Sequence, residues 1–303
     1  GDGGTVTINS GSGSNNSNNN GRGTTQIAGR IEAQGRRRVI NSSQSLDNSN
    51  QSTQSLQSAK GGTVQILGRA VSLAETALLD GTGDTGGGNI FIGGGWQGTL
   101  VDDGTIAITT RIARGAILDA SAKRMGSGGV VVAWSDVHNT LSRTEAHGLF
   151  LAQGGLLGGD GGRIETSGHY LDISDIQGNA AAPAGRGGEW LFDPTDVVIA
   201  DVVIGDNGDS LTGTGTVTSN NQSIILASSI SDLLNLGTKV IVVADGNITI
   251  NSPISSSSSA DFELQAGGSI FIYSSITGSS MSLNLSAGNS SNCLLYTSPS
   301  PRD

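Results

Sequence analysis

Residues 128–173 read GGVVVAWSDVHNTLSRTEAHGLFLAQGGLLGGDGGRIETSGHYLDI, and this stretch decides the fold. It holds two copies of one unit, a glycine pair followed by a short run in which apolar residues alternate. Gly128-Gly129 precedes VVVAW, and Gly161-Gly162 precedes RIETSG. Period-2 alternation over a short run, bounded by Gly, Asn, Asp or Ser, is the signature of a β-strand.

The unit recurs in both directions. Gly3-Gly4 precedes TVTI, Gly61-Gly62 TVQI, Gly87-Gly88 NIFI, Gly187-Gly188 EWLFDP and Gly267-Gly268 SIFI, and a related DGNITI begins at Asp245. Further short strands are predicted from Ala70 (AVSLAE), Thr105 (TIAIT), Ala116 (AILDAS) and Tyr170 (YLDIS). Units stand roughly 20 to 42 residues apart, with wider gaps reading as two units or an insertion.

Composition narrows the architecture. Of 303 residues 48 are Gly; aromatics make up 4%, charged residues 14% and apolar residues 35%. A core is possible, but it must use small and β-branched side chains. A β-sandwich would want aromatic anchors and hairpin turns, and neither is frequent here. Short strands between glycine corners suit a coil that turns three times per rung, its rungs stacked in parallel at about 4.8 Å. A single rung cannot bury its own apolar face, so stability comes from stacking. The expected fold is all-β, a right-handed parallel β-helix, with glycine at corners that need positive φ. A coiled coil, collagen and a membrane-spanning helix are excluded by composition and run length. With 26 acids against 16 bases and a net charge of −10, no nucleic-acid partner is expected.

The expected organisation has five parts. Residues 1–60 form irregular rungs with Ser/Asn/Gly loops over 10–23 and 42–59, around a rung that starts near Gln26. Residues 61–202 form the main β-helix. Residues 203–237 form a linker with a polar stretch over 206–221 and a short helix over 230–236, capped by Ser229 or Ser231 and stopped by Gly237. Residues 238–292 form further rungs. Residues 293–303, CLLYTSPSPRD, resemble a translated sequencing-library adaptor and are expected to be non-native read-through. Gly1-Asp2-Gly3-Gly4, with neither Met nor an apolar leader, reads as the start of a fragment. Cys293 is the only cysteine, so the remainder has no disulfide framework, thiolate metal site or cysteine nucleophile.

The stretch quoted above, followed by GGEWLFDPTDVVIAD from Gly187 and SISDLLNLGTKVIVVADGNITINSPI from Ser229, resembles the filamentous haemagglutinin-like exoproteins of two-partner secretion. The matching positions are Val130 to Trp134, Gly158 to Gly168 and Leu191 to Ile199, within a resemblance that covers residues 61–292. It implies a secreted, rod-like β-helix at the exterior of the Gram-negative outer membrane. The implied partners are an outer-membrane β-barrel transporter during export, and glycan or protein ligands on host or neighbouring cells. The family's amino-terminal secretion domain, with its Asn-Pro-Asn type motif, is not recognisable here; the nearest string, Asn251-Ser252-Pro253-Ile254, stands in the wrong place. The resemblance therefore implies a structural and adhesive segment beyond the secretion domain. Two alternatives stand beside it: a passive stalk of a contact-dependent toxin, and a β-helix polysaccharide lyase or hydrolase.

Each chemistry-bearing residue type has a plain structural role beside a functional one. Gly81, Gly83 and Gly86 satisfy G-x-G-x-x-G, but a strand follows where dinucleotide binding needs a helix. Asp160 between glycine pairs, the Asp80/Asp84 pair and Asp206/Asp209 resemble calcium loops without their tandem register. His138, His147 and His169 lack zinc or triad spacing, although His147 and His169 stand about one rung apart. Glu165, Asp172 and Asp175 are close enough in sequence to stack near Asp136 or Asp119, as a carbohydrate-cleaving acid cluster would. Arg36-Arg37-Arg38 is the one basic run. Trp96, Trp134 and Trp190 are candidate sugar platforms, the last two more in keeping with core packing. Pro194 in Leu191-Phe192-Asp193-Pro194 ends a strand. No catalytic residue, cofactor or metal is expected, the protein is expected not to be an enzyme or to insert in a membrane, and the binding residues are left open.

Overall fold

The computed structural model describes residues 1–10, 23–36, 59–101, 105–174, 176–201, 203–204, 210–211, 223–288 and 295–297. The loop expected over 42–59, except Ala59, most of that over 10–23, and most of the polar stretch 206–221 lie outside them.

The chain winds as a three-faced parallel β-helix. The first face is a nine-stranded sheet in strict chain order: Thr5–Asn9, Thr63–Leu67, Asn89–Ile92, Val130–Trp134, Arg163–Ser167, Glu189–Asp193, Lys239–Ala244, Phe262–Ala266 and Leu283–Ala287. The second face has ten strands, beginning with Thr24–Ile27 and Ala70–Leu73 and ending with Ile270–Ile272 and Leu295–Thr297. The third face starts as a five-stranded sheet: Arg30–Glu32, Leu78–Asp80, Ile117–Asp119, Leu149–Leu151 and Gln177–Asn179.

Register turns alternation into columns. Val64, Ile90, Val131, Ile164, Trp190, Val240 and Phe262 stand one above another on the inner side of the first face, and all are buried in one continuous core. Each fully buried aliphatic contributes about 1.5–3 kcal/mol, and stacking makes that contribution available without large aromatics. Where an aromatic does enter, its neighbour shrinks. Trp190 lies between Phe150, at 5.7 Å, and Phe192, at 5.3 Å, and a Cβ on Gly178 would overlap its ring. Gly178 is the residue that pairs with Phe150 on the third face.

The corners repeat two hydrogen-bond devices. Between first and second faces, buried threonine hydroxyls donate to the carbonyl that ends the next first-face strand: Thr25 to Leu67 (2.8 Å), Thr110 to Trp134 (2.8 Å) and Thr144 to Ser167 (2.7 Å). Leaving the third face, Asp80, Asp119 and Asn179 each accept the backbone N–H two residues on, from Thr82, Ser121 and Ala181, closing Asx-turns.

The glycine pairs have a different cause from the one expected. Gly61-Gly62, Gly87-Gly88, Gly128-Gly129, Gly161-Gly162 and Gly187-Gly188 do not sit at positive φ. Instead a Cβ on any of them would overlap a carbonyl oxygen of an adjacent corner, for example that of Gly4 for Gly62, Gly88 for Gly129 and Gly237 for Gly187. Close approach of stacked corners, not left-handed backbone, selects glycine here. Positive φ is used at other glycines, such as Gly115 (93°) and Gly237 (88°).

Residues 203–237, read as a linker, add two pieces to the solenoid. Strand Ser223–Ile225 doubles back to lie between Tyr170–Asp172 and Val197–Ile199, so the second face departs from chain order at this point. The helix then spans Ala227–Asn235 and buries Ala227, Ile230, Leu233 and Leu234. It continues the third face between Gln177–Asn179 and Ile254–Ser256. Its cap comes from outside: Asp201 Oδ1 accepts both the N–H and the hydroxyl of Ser228, at 2.8 and 2.9 Å. Neither Ser229 nor Ser231 caps it, because it starts earlier than its sequence suggests. Gly237 ends it as expected: its N–H reaches the Leu234 carbonyl and that of Thr238 reaches Leu233, the Schellman pattern.

Two further details differ from the sequence reading. The strand expected from Thr105 begins at Thr109, because Ala107 and Ile108 bond back to Gly93 and Arg69 in turning the corner. The runs after Asp245 and Gly267-Gly268 form second-face strands Ile248–Ile250 and Ile270–Ile272, whereas the earlier glycine pairs open first-face strands. In the tail, Leu295–Thr297 pairs with Ile270–Ile272.

Candidate functional site

The outer side of the first face departs from a plain solenoid surface. Val132 and Trp134 alternate with the core residues Val131 and Ala133, so they point outward, yet they are 0% and 4% exposed. Leu67, Glu165 and Leu191 likewise lie outside the core cluster and are buried. A strap over residues 93–101 leaves the strand Asn89–Ile92 and crosses this surface. Gly94 and Gly98 lie flat on the Trp134 indole, where a Cβ on either would come within 2.7 Å of the ring. The strap's short 3-10 turn, Trp96–Gly98, contains Gln97, at φ 50° the only non-glycine residue at positive φ among the described residues. Its neighbours Gly93 (78°) and Gly98 (70°) also take left-handed backbone, which glycine allows without steric cost.

Glu165 fastens the strap. Register places it between Val132 and Leu191, so its carboxyl has apolar neighbours above and below. One oxygen accepts the Gln97 N–H at 2.7 Å and the other the Ser167 hydroxyl at 2.8 Å. Burial pushes its pKa up to about 7; the two hydrogen bonds and Arg163 oppose the rise and the nearby Asp193 charge adds to it. Arg163 extends the clamp, with its guanidinium 3.9 Å over the Trp96 ring and its Nε 2.7 Å from Glu189. A strained turn held over a buried acid marks a place where the fold has accepted local cost.

Next to it, Asp193 ends its strand with its pKa raised to about 6 by burial and by Asp245, with His138 opposing. His138 Nδ1 lies 4.0 Å from Asp245. His169 Nδ1 lies 2.8 Å from the Thr195 hydroxyl and 3.1 Å from the Val137 carbonyl. The loop after Trp134 thus reaches across the first-to-second corner of later rungs.

The other candidates are dispersed. Glu165 is on the first face, Asp172 on the second and Asp119 on the third, so they form no common acid cluster. Asp136 serves a turn by accepting the His138 N–H, and Asp175 lies outside the described residues. His147 follows a second-face strand while His169 precedes the next, which puts them at opposite ends of that face. His147 faces Asp172 at 4.0 Å. Asp80 closes its Asx-turn, and Asp84 meets Arg124 and Met125 through its backbone carbonyl. Asp160 is paired with Arg186, which holds its pKa below the usual range. Among the described residues, no three His, Cys, Asp or Glu side chains are placed to hold a metal. Asp206 and Asp209 lie outside the described residues. Gly81, Gly83 and Gly86 form a corner, with Gly83 bridged to Gly35 and Ala122 and the strand Asn89–Ile92 following. Of the basic run, Arg36 meets Gln34 and Glu32, while Arg37 and Arg38 lie outside the described residues. Trp190 is core, Trp134 lies under the strap and Trp96 forms part of it. Pro194 follows its strand as expected.

No local pattern in residues 93–101 marks the strap. Its trace was length: the 41-residue step from Gly87 to Gly128 is the widest between neighbouring units of the main block.

No family model and no curated protein matches this chain. Among the described residues, no helix is long and apolar enough to cross a membrane.

Proposed function

We propose that this chain is a structural and adhesive segment of a secreted, filamentous haemagglutinin-like exoprotein exported by two-partner secretion. The observation that carries the reading is the first face. Its nine strands follow chain order without interruption, and strand Glu189–Asp193 pairs directly with Lys239–Ala244 although 45 residues intervene. Such a scaffold extends indefinitely by adding rungs and carries its variation laterally, in straps and excursions. Its partners are an outer-membrane β-barrel transporter during export, and glycan or protein ligands on a host or neighbouring cell. A body without cysteine threads a pore with no disulfide loop to obstruct it, and stacking outside can draw the chain forward. Since the shape serves a passive stalk equally well, the test must hold length constant. In the whole exoprotein, residues 61–288 are replaced by an equal number of rungs from an unrelated β-helix, and adhesion to target cells is counted. Adhesion should fall at least tenfold; undiminished adhesion would make the segment a spacer.

A further inference from the structure

Between the third face and the first, the chain bulges into a lobe at four successive turns: residues 82–86, 121–127, 153–160 and 181–186. The lobes are layers of one stack. At the entry end, Gly35, Gly83, Ala122 and Gly154 donate their N–H groups to the carbonyls of Thr82, Ser121, Gln153 and Ala181 in the next layer. At the exit end, Gly61, Gly87, Gly128 and Gly161 donate to Gly86, Ser127, Asp160 and Arg186. These bonds measure 2.8–3.2 Å.

The stack stops where the helix Ala227–Asn235 takes the place of a third-face strand. Leu236, Gly237 and Thr238 lead straight into Lys239–Ala244 with no lobe. Gly237 still sets its carbonyl over Gly187, as Ala180 does over Gly161. The Thr238 hydroxyl still accepts the Ala180 N–H at 3.2 Å. The next donors of the two series fare differently: among the described residues, no acceptor reaches the N–H of Ala182 or of Gly187. Both residues line a cleft of about 570 Å³, together with Gly185 and with Leu236, Ser259 and Ala260 from later turns. Backbone donors go without a protein partner only where water or a ligand can reach them; Gly187 is exposed and Ala182 half-buried.

We propose that this cleft is a docking site for an extended segment of another protein, rich in small residues, which adds the next layer to the lobe stack in the manner of β-strand addition. Two observations favour a peptide over an anion. In every layer below, the same two donor positions meet peptide carbonyls. The cations that border the cleft are already neutralised, Arg186 by Asp160 at 2.8 Å and Lys239 by Glu263 at 2.7 Å, and Asp261 adds a negative charge. Small residues are needed because stacked lobes meet backbone to backbone: a Cβ on Gly155, Gly159 or Gly185 would overlap the lobe beneath. The cleft suits an adhesive segment and a passive stalk alike, so it does not depend on the adhesive role.

The probe is a peptide copying the chain's own third lobe, AQGGLLGGDG from residues 152–161, blocked at both ends. It is titrated into the isotope-labelled full chain and followed by amide chemical shifts and hydrogen exchange. In the chain alone, the Ala182 and Gly187 amides should exchange at least tenfold faster than those of Gly154 and Gly161. The peptide should shift both amides saturably and slow their exchange at least tenfold. Ser259→Trp, at an exposed position on the cleft wall, should weaken binding at least fivefold. Equal exchange at the four amides, or a titration that leaves Ala182 and Gly187 unmoved, overturns the proposal, and neither comparison needs a variant. Undiminished binding to a folded Ser259→Trp chain also overturns it. The same saturable shifts from sodium acetate would make the cleft a carboxylate site and overturn the peptide assignment.

Discussion

At the scale of single residues, Glu165 is an acid kept where an ionised group is unfavourable. Its pKa rises from an ordinary 4.5 to about 7 on folding, so the folded chain holds the proton that the unfolded chain has already released. Stability therefore falls as pH rises from about 4.5 to about 7 and stays low above that window. Asp193 acts in the same direction, over about 3.8 to 6. Glu165→Gln keeps an acceptor for Gln97 and gains a donor for Ser167 while removing the charge. It should raise stability at pH 8 by about 2–4 kcal/mol and change it little at pH 4.5, as read from urea melts at the two pH values. An equal effect at both would show that the carboxyl is not protonated in the fold. Nothing in RIETSG announces this role. An alternating strand fixes that Glu165 faces outward, but only a strap arriving from Gln97, 68 residues away in sequence, buries it. The glycine pairs show the same limit: their spacing marks the corners, whereas the carbonyl that excludes their Cβ comes from the far end of the same rung for the first glycine and from the rung before for the second.

At the scale of elements, the apolar alternating strands were legible and the polar ones were not. VVVAW, TVQI and EWLFD fall on observed strands, while Arg143–Ala146 and Gln177–Asn179 carry RTEA and QGN. These become strands because rungs on either side offer them a ladder, not through their own preference. The helix Ala227–Asn235 is similar. Its apolar spacing and Gly237 were readable, but its cap was not, because Asp201 lies 27 residues from Ser228. Asp201→Ala removes that acceptor and a negative charge near the helix N-terminus. It should cost about 1 kcal/mol, seen as a shift in urea midpoint with unchanged m-value. Ser229→Ala and Ser231→Ala should leave the N-terminal cap intact.

At the scale of the whole molecule, stability is nearest-neighbour: each rung depends on those above and below. Interior strands have partners on both edges and terminal ones on a single edge. Hydrogen exchange on the 303-residue chain taken by itself should therefore show strongest protection at Ile90, Val131, Ile164 and Val240, fading toward Thr5–Asn9 and Ile276–Gly278. Uniform protection across all rungs would mean that the solenoid opens as one cooperative unit. The strand Ser223–Ile225 tests the same principle locally, since it inserts between two rungs already in place and should protect Asp172 and Val198.

The sequence by itself determined that the chain coils: glycine pairs at rung spacing, strands of alternating β-branched residues, and too few aromatics for any core but a stacked one. Those signals are local, and local periodicity suffices to say which side of a strand faces inward. Only the tertiary structure decided that an outward patch is closed by a strap, that a helix takes a strand's place, and that Asp193 and Glu165 share one buried surface. Each of these joins residues from different rungs, and burial is a property of what arrives from elsewhere in the chain.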